Sequence, residues 1–496
     1  MDERPKSATQ LVATSTAIQF VGKFLVMFLG LGTIALVTRY LGVAGFGQFT
    51  TIFAYVSFLS VFADFGFFAV LVTQLAKGKG DPKKITSNIM TLRALLGIAI
   101  YLVGFAVGFL LPYEGAVKLG IGIIAAAWFG QSVNQTLVGV FQVNQAMAKP
   151  VLADILGKLA VLALVWFSIM FGLPFHMVLV SYLIGAFVTL ILNLYLVRAY
   201  IEVSLAYDGR YWREVIKLAA PMAAVLIFGF IYFKADTVIL SLMKGPVDVG
   251  IYGVPYKLIE VLLVFPSIFM GTVLPFITRY LATSDARMAG AFAKASHFLI
   301  LIGLPVLLIG MVLAKPLVAV LGGAEFTSAA TVFLGSHAIA APIILQILLV
   351  AVFLSYLSHL TTYVVVAAGQ QSSLVIPNIL FAVCNIGLNI LAIPHYSYLA
   401  AAAITVVTEL AVLAVSFGII WFKIGRFIPD IHYIGRALVA NAILVALVWP
   451  LRQLSLPVLL VIAVAVYGLL SLGFKLITRE ELLEVLQLSK GAHATT

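Results

Sequence analysis

Ten ionisable side chains lie within long apolar stretches of the sequence, where they could bind a charged ligand or pair with one another. A charge inside hydrocarbon is costly unless it is paired or faces water, so each of these residues is a functional candidate. Five are basic and five are acidic, a balance that favours ion pairing. The basic residues are Lys23, Arg93, Lys158, Lys234 and Lys257, and the acidic residues are Asp64, Asp154, Asp236, Glu260 and Glu409.

Two pairs are spaced to meet on one face of a helix. Asp154 and Lys158 are four residues apart with the acid first, which is the favourable order. Lys257 and Glu260 are three residues apart and can also meet. For both pairs, mutual neutralisation within a helix bundle explains the residues as well as a functional role does.

A predicted cluster of charges lies near the outer mouth of the helix bundle. Lys234 and Asp236 are two residues apart and point to different faces, so each needs a partner on another helix. They fall at the same predicted depth as Lys257 and Glu260. The four either gate access to the outside or only hold two helices together. The candidate gating residues are Lys234, Asp236, Lys257, Glu260, Asp154 and Lys158.

Four residues, Lys23, Asp64, Arg93 and Glu409, have no partner on their own helix. For them a water-filled cavity is favoured over a buried bridge between helices. Such a cavity could bind an anionic headgroup near the middle of the membrane. Asn134 is added to this candidate substrate-binding set, although hydrogen bonding between helices is the simpler explanation for the amide side chains of its stretch.

The sequence carries no motif for enzyme chemistry. Gly22-Lys23 and Gly157-Lys158 lack the preceding glycine and the following Ser or Thr of a phosphate-binding loop. The seven histidines show no spacing typical of a metal site. We therefore predict no catalytic residue, no metal and no cofactor, and any energy input must come from the substrate or from an ion gradient.

The composition indicates the environment of the segments that carry these residues. The chain has 496 residues, of which 63% are hydrophobic and 10% charged, and its mean hydropathy is +1.15. Soluble proteins carry about 25% charged residues, so most of this chain must face hydrocarbon. The net charge of +11 is spread between apolar stretches, which argues against nucleic acid and favours contact with membrane lipids.

Apolar runs of about 20 residues or more occur fourteen times, and they predict an all-α integral membrane protein. The tenth run, 329–368, is predicted to be one helix with a kink at Pro342. A weak repeat aligns Gly47-Gln48-Phe49 with Gly250-Ile251-Tyr252 and predicts two pseudo-symmetric six-helix lobes. The predicted organisation is a first lobe at 1–200, an interlobe loop at 201–214, a second lobe at 215–421, and two further helices with a tail at 422–496.

Loop charge predicts the orientation. With the N-terminus inside, the inside loops and tails hold 20 Lys and Arg residues and the outside loops hold 5. This bias fits the positive-inside rule, so a multi-pass cell-membrane protein with both termini cytoplasmic is predicted. Tyr211 and Trp212 predict a short interfacial helix in the 201–214 loop, and Thr478-x-x-Glu481 predicts a short helix in the tail.

Several motifs, in this order and spacing, resemble polysaccharide-repeat-unit (Wzx-type) flippases of the multidrug/oligosaccharidyl-lipid/polysaccharide exporter superfamily. The resemblance covers the first twelve spans, and the fourteen-span count agrees with it. The motifs are Thr38-Arg39-Tyr40-Leu41-Gly42, Phe46-Gly47-Gln48-Phe49, Ala63-Asp64-Phe65-Gly66, Gly250-Ile251-Tyr252, Asn385-x3-Asn389-x3-Ile393-Pro394 and Ala400-Ala401-Ala402.

The resemblance implies two six-helix lobes around a central cavity that moves a polyprenyl-diphosphate-linked oligosaccharide to the outer leaflet by alternating access. Some relatives are coupled to Na⁺ or H⁺, and a polysaccharide polymerase or glycosyltransferases are candidate partners. Lys23 and Arg93 are then expected to hold the diphosphate or acidic sugars.

Two alternatives to the flippase interpretation remain. A small-molecule or drug antiporter of the same fold is second, although that branch usually has twelve spans. A membrane glycosyltransferase or polymerase is third, because the outside loops offer few carboxylates for catalysis.

Overall fold

The structure, a computed structural model, describes residues 8–78, 80–282, 287–427 and 430–477. This part of the chain is helical except for its loops and a two-residue hairpin of β1 (Phe333–Leu334) and β2 (His337–Ala338). Helices suit the apolar composition because they satisfy their backbone polar groups internally in a hydrocarbon solvent. The chain divides into two compact units.

The first unit comprises the chain up to Gly253 with two short later segments, 321–325 and 386–398. Its neighbouring helices pack closely where small residues face each other, as at Gly157, where an added Cβ would lie 2.9 Å from the carbonyl oxygen of Gly185. Its helices are α1 (Ala8–Asp64), α2 (Phe67–Ala76), α3 (Pro82–Leu110), α4 (Gly115–Val143), α5 (Ala148–Met170), α6 (Phe175–Val197), α7 (Gly209–Met243) and the start of α8 (Pro246–Leu262).

The second unit holds the remainder of the chain. Two of its helices continue into short turns of another helix type: a π-helical turn follows α14, and a 3₁₀ turn follows α15. Beyond α8, the elements from this part of the chain are α9 (Val264–Ala282), α10 (Arg287–Val312), α11 (Ala314–Gly322), α12 (Ala324–Ser328), α13 (Ala341–Ala367), α14 (Ser372–Ile419), α15 (Ile431–Val448) and α16 (Leu456–Gly473).

The number of spans agrees with the sequence-based expectation. Within the described ranges, eleven helical segments are long and apolar enough to cross a membrane. Two of them contain internal kinks, at Gly42 (φ 66°) in α1 and at Ser397 (φ 47°) in α14, and each is therefore two spans. Counting the 35-residue α7 as well gives a total consistent with the predicted fourteen.

The predicted shape of the tenth span is wrong in its first part. Residues 329–340 do not join the helix, and they include the β1–β2 hairpin. The helix, α13, begins at Ala341 with Pro342 in its first turn. Proline is suited to that position because its missing N–H would have no partner there, so Pro342 starts the helix and does not kink it.

The 201–214 segment also differs from the expected interfacial helix. Residues 201–208 form a loop without helix or strand, and Tyr211 and Trp212 belong to the first turns of α7, which continues to Met243. Asp208 caps α7 by accepting hydrogen bonds from the backbone N–H groups of Arg210 and Tyr211. This loop is held against α3, where the Thr91 hydroxyl accepts a hydrogen bond from the N–H of Ala206 at 3.0 Å. The helix predicted from Thr478 lies outside the described residues.

Candidate functional site

A cavity of about 680 Å³ lies in the first unit between α1, α4 and α5. It brings together three residues of the candidate sets, Lys23 from α1, Asn134 from α4 and Asp154 from α5. Gly22 permits the close approach of α1 to α5 beside it, because an added Cβ would lie 2.0 Å from Cγ1 of Val151. The helices around the cavity are therefore packed tightly along one edge and separated along another.

Amide side chains form one wall of the cavity. Gln131, Gln135 and Gln142 of α4 all line it, at intervals of four and seven residues that place them on one helix face. None of the three makes a side-chain hydrogen bond with the described part of the chain. Bonding between helices was the simpler expectation for the amides of this stretch. The spacing of these three glutamines on one helix face was the signal in the sequence that they share a cavity. Gln19 and Gln145 add two further amides to the lining.

The three candidate residues at the cavity differ in environment. Lys23 is exposed and makes no ion pair with the described residues. Asp154 is half-buried and interacts electrostatically with Lys158, as their spacing predicted. Asn134 is buried, and its side-chain oxygen accepts a hydrogen bond from Asn193 of α6 at 2.8 Å. For Asn134, the simpler explanation of bonding between helices describes the observed contact.

The expected water-filled cavity around Arg93 and Asp64 is wrong. The Arg93 side chain is buried, and it forms an ion pair with Asp64 across α1 and α3. Its Nε also donates to the hydroxyl of Ser132 on α4 at 3.1 Å. Asp64 is the last residue of α1 and is followed by a turn in which Phe65 and Gly66 both have positive φ. This end of the helix, which the sequence did not reveal, places the Asp64 carboxylate against Arg93.

Glu409 likewise does not face a water-filled space. It lies in the second unit on α14, is 6% exposed, and accepts a hydrogen bond from the Ser358 hydroxyl of α13 at 3.2 Å. Asn385, on the first part of α14, donates to Thr408 at 3.0 Å, which is the contact between helices expected for the amides of that stretch. Hydroxyl groups on neighbouring helices, invisible to a search for charge partners, account for the burial of this acid.

The candidate gating residues have different surroundings in the two units. In the first unit, Asp236 is buried and accepts a hydrogen bond from the hydroxyl of Tyr252 on α8 at 2.5 Å, with Lys234 close enough to interact electrostatically. In the second unit, Lys257 and Glu260 form the expected ion pair at 2.8 Å. Tyr252 is a partner that the sequence analysis missed, although it belongs to the repeated Gly250-Ile251-Tyr252 motif.

The repeated glycines form a close helix crossing within the first unit. A Cβ added to Gly47 of α1 would lie 1.7 Å from the carbonyl oxygen of Pro246, and one added to Gly250 of α8 would lie 2.1 Å from that of Val43. The repeat that aligns Gly47 with Gly250 also aligns Val43 with Pro246, so the two contacts are equivalent by pseudo-two-fold symmetry. This Gly47–Gly250 crossing is further supported by a hydrogen bond from the Ser397 hydroxyl to Asp248.

The family model for polysaccharide biosynthesis proteins matches residues 12–281, which is more than half of the chain. The chain belongs to this family. It has no match among curated proteins. Membership agrees with the resemblance noted in the sequence, and it places the cavity, the Arg93–Asp64 pair and the Gly47–Gly250 crossing within the part of the chain that the family shares.

Solved structures show the same fold. The lipid II flippase MurJ in an inward closed conformation has a TM-score of 0.74 at 13% identity, over 91% of this chain and 97% of that chain. An inward-facing multidrug resistance MATE family transporter of the MOP superfamily has a TM-score of 0.62 at 13% identity, covering 79% and 92%. The Vibrio cholerae MATE transporter VcmN has a TM-score of 0.57 at 15% identity, covering 83% and 96%. The family member described here is therefore a multi-pass membrane protein whose fold these solved structures share.

Proposed function

We propose that this protein flips a polyprenyl-diphosphate-linked oligosaccharide from the cytoplasmic to the outer leaflet by alternating access. The observation that carries the proposal is the cavity, in which Lys23, a cation that makes no ion pair with the described residues, stands beside a wall of amides. Lysine is a strong partner for phosphate. Family membership in polysaccharide biosynthesis and the fold shared with a lipid II flippase support the same substrate class.

The test is a flipping assay in proteoliposomes. A polyprenyl-diphosphate disaccharide with a dithionite-sensitive fluorophore is placed in both leaflets, and dithionite is added outside. Wild-type protein should expose the inner pool, whereas protein-free vesicles should lose only the outer pool. Bleaching that matches protein-free vesicles in every lipid-linked sugar tried would contradict the proposal.

Lys23→Ala tests the role of the cation. The side chain is exposed and makes no ion pair within the described residues, so its loss should leave folding intact while slowing flipping roughly tenfold or more. Lys217→Ala, a change of another exposed cation in the first unit that does not line the cavity, is the matched control. Equal flipping by Lys23→Ala and wild type would remove Lys23 from the site.

The direction of transport depends on the predicted topology, with both termini cytoplasmic. Lys77→Cys in a Cys384→Ala background places one thiol in the basic loop after α2, where residue 77 is exposed. The charge bias predicts that an impermeant maleimide labels it only after the cells are opened. Labelling of intact cells would reverse the proposed orientation.

Coupling to Na⁺ or H⁺ is part of the proposal, and so are a polysaccharide polymerase or glycosyltransferases as partners. The coupling test is the same flipping assay with each gradient imposed and then dissipated. Buried acids such as Glu409 are the residues in which a coupling ion would be sought. A rate that is indifferent to both gradients would leave the substrate's own gradient as the driving force.

A small-molecule or drug antiporter is the second candidate, and the similarity to MATE transporters is the observation that favours it. Lys23, which makes no ion pair with the described residues, disfavours cationic drugs in the cavity, because like charges repel. Gradient-driven export of a cationic dye by the purified protein, together with failure of the flipping assay, would replace the first proposal with this one.

A further inference from the structure

The amide wall is more selective than a merely polar surface. Gln131 and Gln135 are half-buried, Gln142 is exposed at the end of α4, and all three line one cavity. They make no hydrogen bond with the described residues, and their partial exposure leaves the amide groups accessible to a ligand in the cavity. A few polar groups that converge on one cavity are typical of a ligand-binding site.

The chemistry of the amide identifies the class of ligand. Each glutamine presents one acceptor and two donors, and a hydroxyl group both donates and accepts, so the two match in either direction. A phosphate offers acceptors only and leaves the amide oxygens unsatisfied. An apolar lipid chain would leave every amide group unsatisfied, at a cost in desolvation. A neutral ligand rich in hydroxyl groups is the one that satisfies the wall.

The dimensions suit more than one sugar ring. From Gln131 to Gln142 the wall extends about 16 Å along α4, given the rise of about 1.5 Å per residue in a helix. The volume of about 680 Å³ is within the range typical of small-molecule sites. Lys23 faces this wall from α1, so that a cation and a set of neutral hydrogen-bonding groups border the same space.

We propose that the glutamine wall, Gln131, Gln135 and Gln142, reads the neutral sugars of the substrate and sets specificity for the glycan, while Lys23 holds its anionic group. This inference rests on the proposed function for the identity of the carrier lipid. It assigns to each side of the cavity a different part of one ligand.

The experiment compares two probes on the full-length protein in detergent. One probe is a polyprenyl diphosphate without sugar, and the other is a panel of the same lipid carrying one to three neutral hexoses or N-acetylhexosamines. Binding is measured by native mass spectrometry for Gln131→Leu, Gln135→Leu, Gln142→Leu and Lys23→Ala. Gln371→Leu, at an exposed glutamine before α14, is the matched control, and thermal unfolding verifies that each variant is folded.

Each glutamine variant should weaken binding of the sugar-bearing probe about two- to tenfold, the range expected for one hydrogen bond, and should leave binding of the bare diphosphate unchanged. Lys23→Ala should weaken both probes alike. Equal loss for both probes in the glutamine variants, or no preference of wild type for any sugar-bearing probe, would overturn the inference.

The flipping assay separates the two proposals. Sugar-selective binding that depends on the glutamines, in a protein that flips none of the panel, would retain the glycan site and refute the flippase. Flipping of sugar-bearing and bare lipid at equal rates in wild type and in all three glutamine variants would retain the flippase and refute the glycan site.

Discussion

The cavity and the Gly47–Gly250 crossing belong to the same unit, but their helices differ in how closely they pack. At the crossing, glycines bring two helices together until one added carbon atom would collide with a carbonyl oxygen. At the cavity, large amide side chains on α4 keep a volume open between helices. Both regions lie on apolar helices, so side-chain size and hydrogen-bonding capacity distinguish them, and average hydrophobicity does not. A fixed contact needs close packing, whereas a binding space needs polar groups that remain accessible to a ligand.

The largest effect is expected at the Arg93–Asp64 ion pair, which lies in the same unit but does not line the cavity. Asp64→Asn leaves the buried Arg93 charge without its carboxylate, and losing one partner of a buried pair costs about 3–5 kcal/mol. The midpoint of unfolding of the purified protein should therefore fall. Adding Arg93→Met to Asp64→Asn should recover most of the loss, because the unpaired charge is then gone. A double variant as unstable as Asp64→Asn would show that the pair is not the cause.

The second largest loss of stability is expected next to the Gly47–Gly250 crossing. Tyr252→Phe removes the hydroxyl that donates to buried Asp236 close to the crossing, and a hydrogen bond to a charged group contributes about 1.5–3 kcal/mol. Thermal unfolding would measure this change.

Asp236→Asn separates gating from simple adhesion. If the candidate gating residues control access, Asp236→Asn should bias the protein toward an outward-open state and raise the reactivity of cysteines placed near the predicted outer mouth. Lower thermal stability with unchanged accessibility would mean that these charges only hold helices together.

Gly47→Ala tests the closest contact of the Gly47–Gly250 crossing. The added carbon would overlap the Pro246 carbonyl, and overpacking of this kind costs about 1–3 kcal/mol. Gly32→Ala is the matched control on the same helix, because a Cβ there would meet nothing within 4 Å. Equal stability for the two variants would show that the two helices can move apart at the crossing without a loss of stability.

The smallest effect lies outside both regions, in the segment before α7. Lys84 forms an ion pair with Asp208 at 2.9 Å, and this hydrogen bond lowers the pKa of the Asp208 carboxyl. A lowered pKa in the folded state contributes stability above the usual Asp range and loses it as the pH falls through the folded value. Lys84→Ala should therefore lower the thermal midpoint slightly at neutral pH, and the difference should vanish in acid. A difference that persists in acid would exclude this pair as its source.

Sequence reasoning succeeded where the solvent dictates the answer. The class of protein and the approximate number of spans follow from apolar length, because hydrocarbon forces helices of a minimum length. Local ion pairs such as Lys257–Glu260 were also predictable, because helix geometry fixes which neighbours meet. The repeat that aligns Gly47 with Gly250 was visible as well, although its role as a close contact was not.

The candidate site was harder to predict, because burial depends on packing between distant helices. Arg93 and Glu409 look alike in sequence, as charges without a local partner, but one meets a carboxylate and the other a hydroxyl. Pro342 could mark either a kink or a helix start until the preceding residues were seen in a hairpin. The glutamine wall was hidden for a different reason, since its periodicity was available but uncharged amides drew less attention than charges.

The symmetry of the Gly47–Gly250 crossing has a consequence for the origin of the chain. Gly47 lies against Pro246, four residues before Gly250, and Gly250 lies against Val43, four residues before Gly47, which is the pattern of an isologous interface between two identical subunits. Two copies of a half-length ancestor could have formed this contact as a dimer, with one glycine in the gene serving both sides. After duplication and fusion, the two positions are encoded separately. One side of the crossing can now change while the other is preserved, a freedom that a symmetric dimer never has.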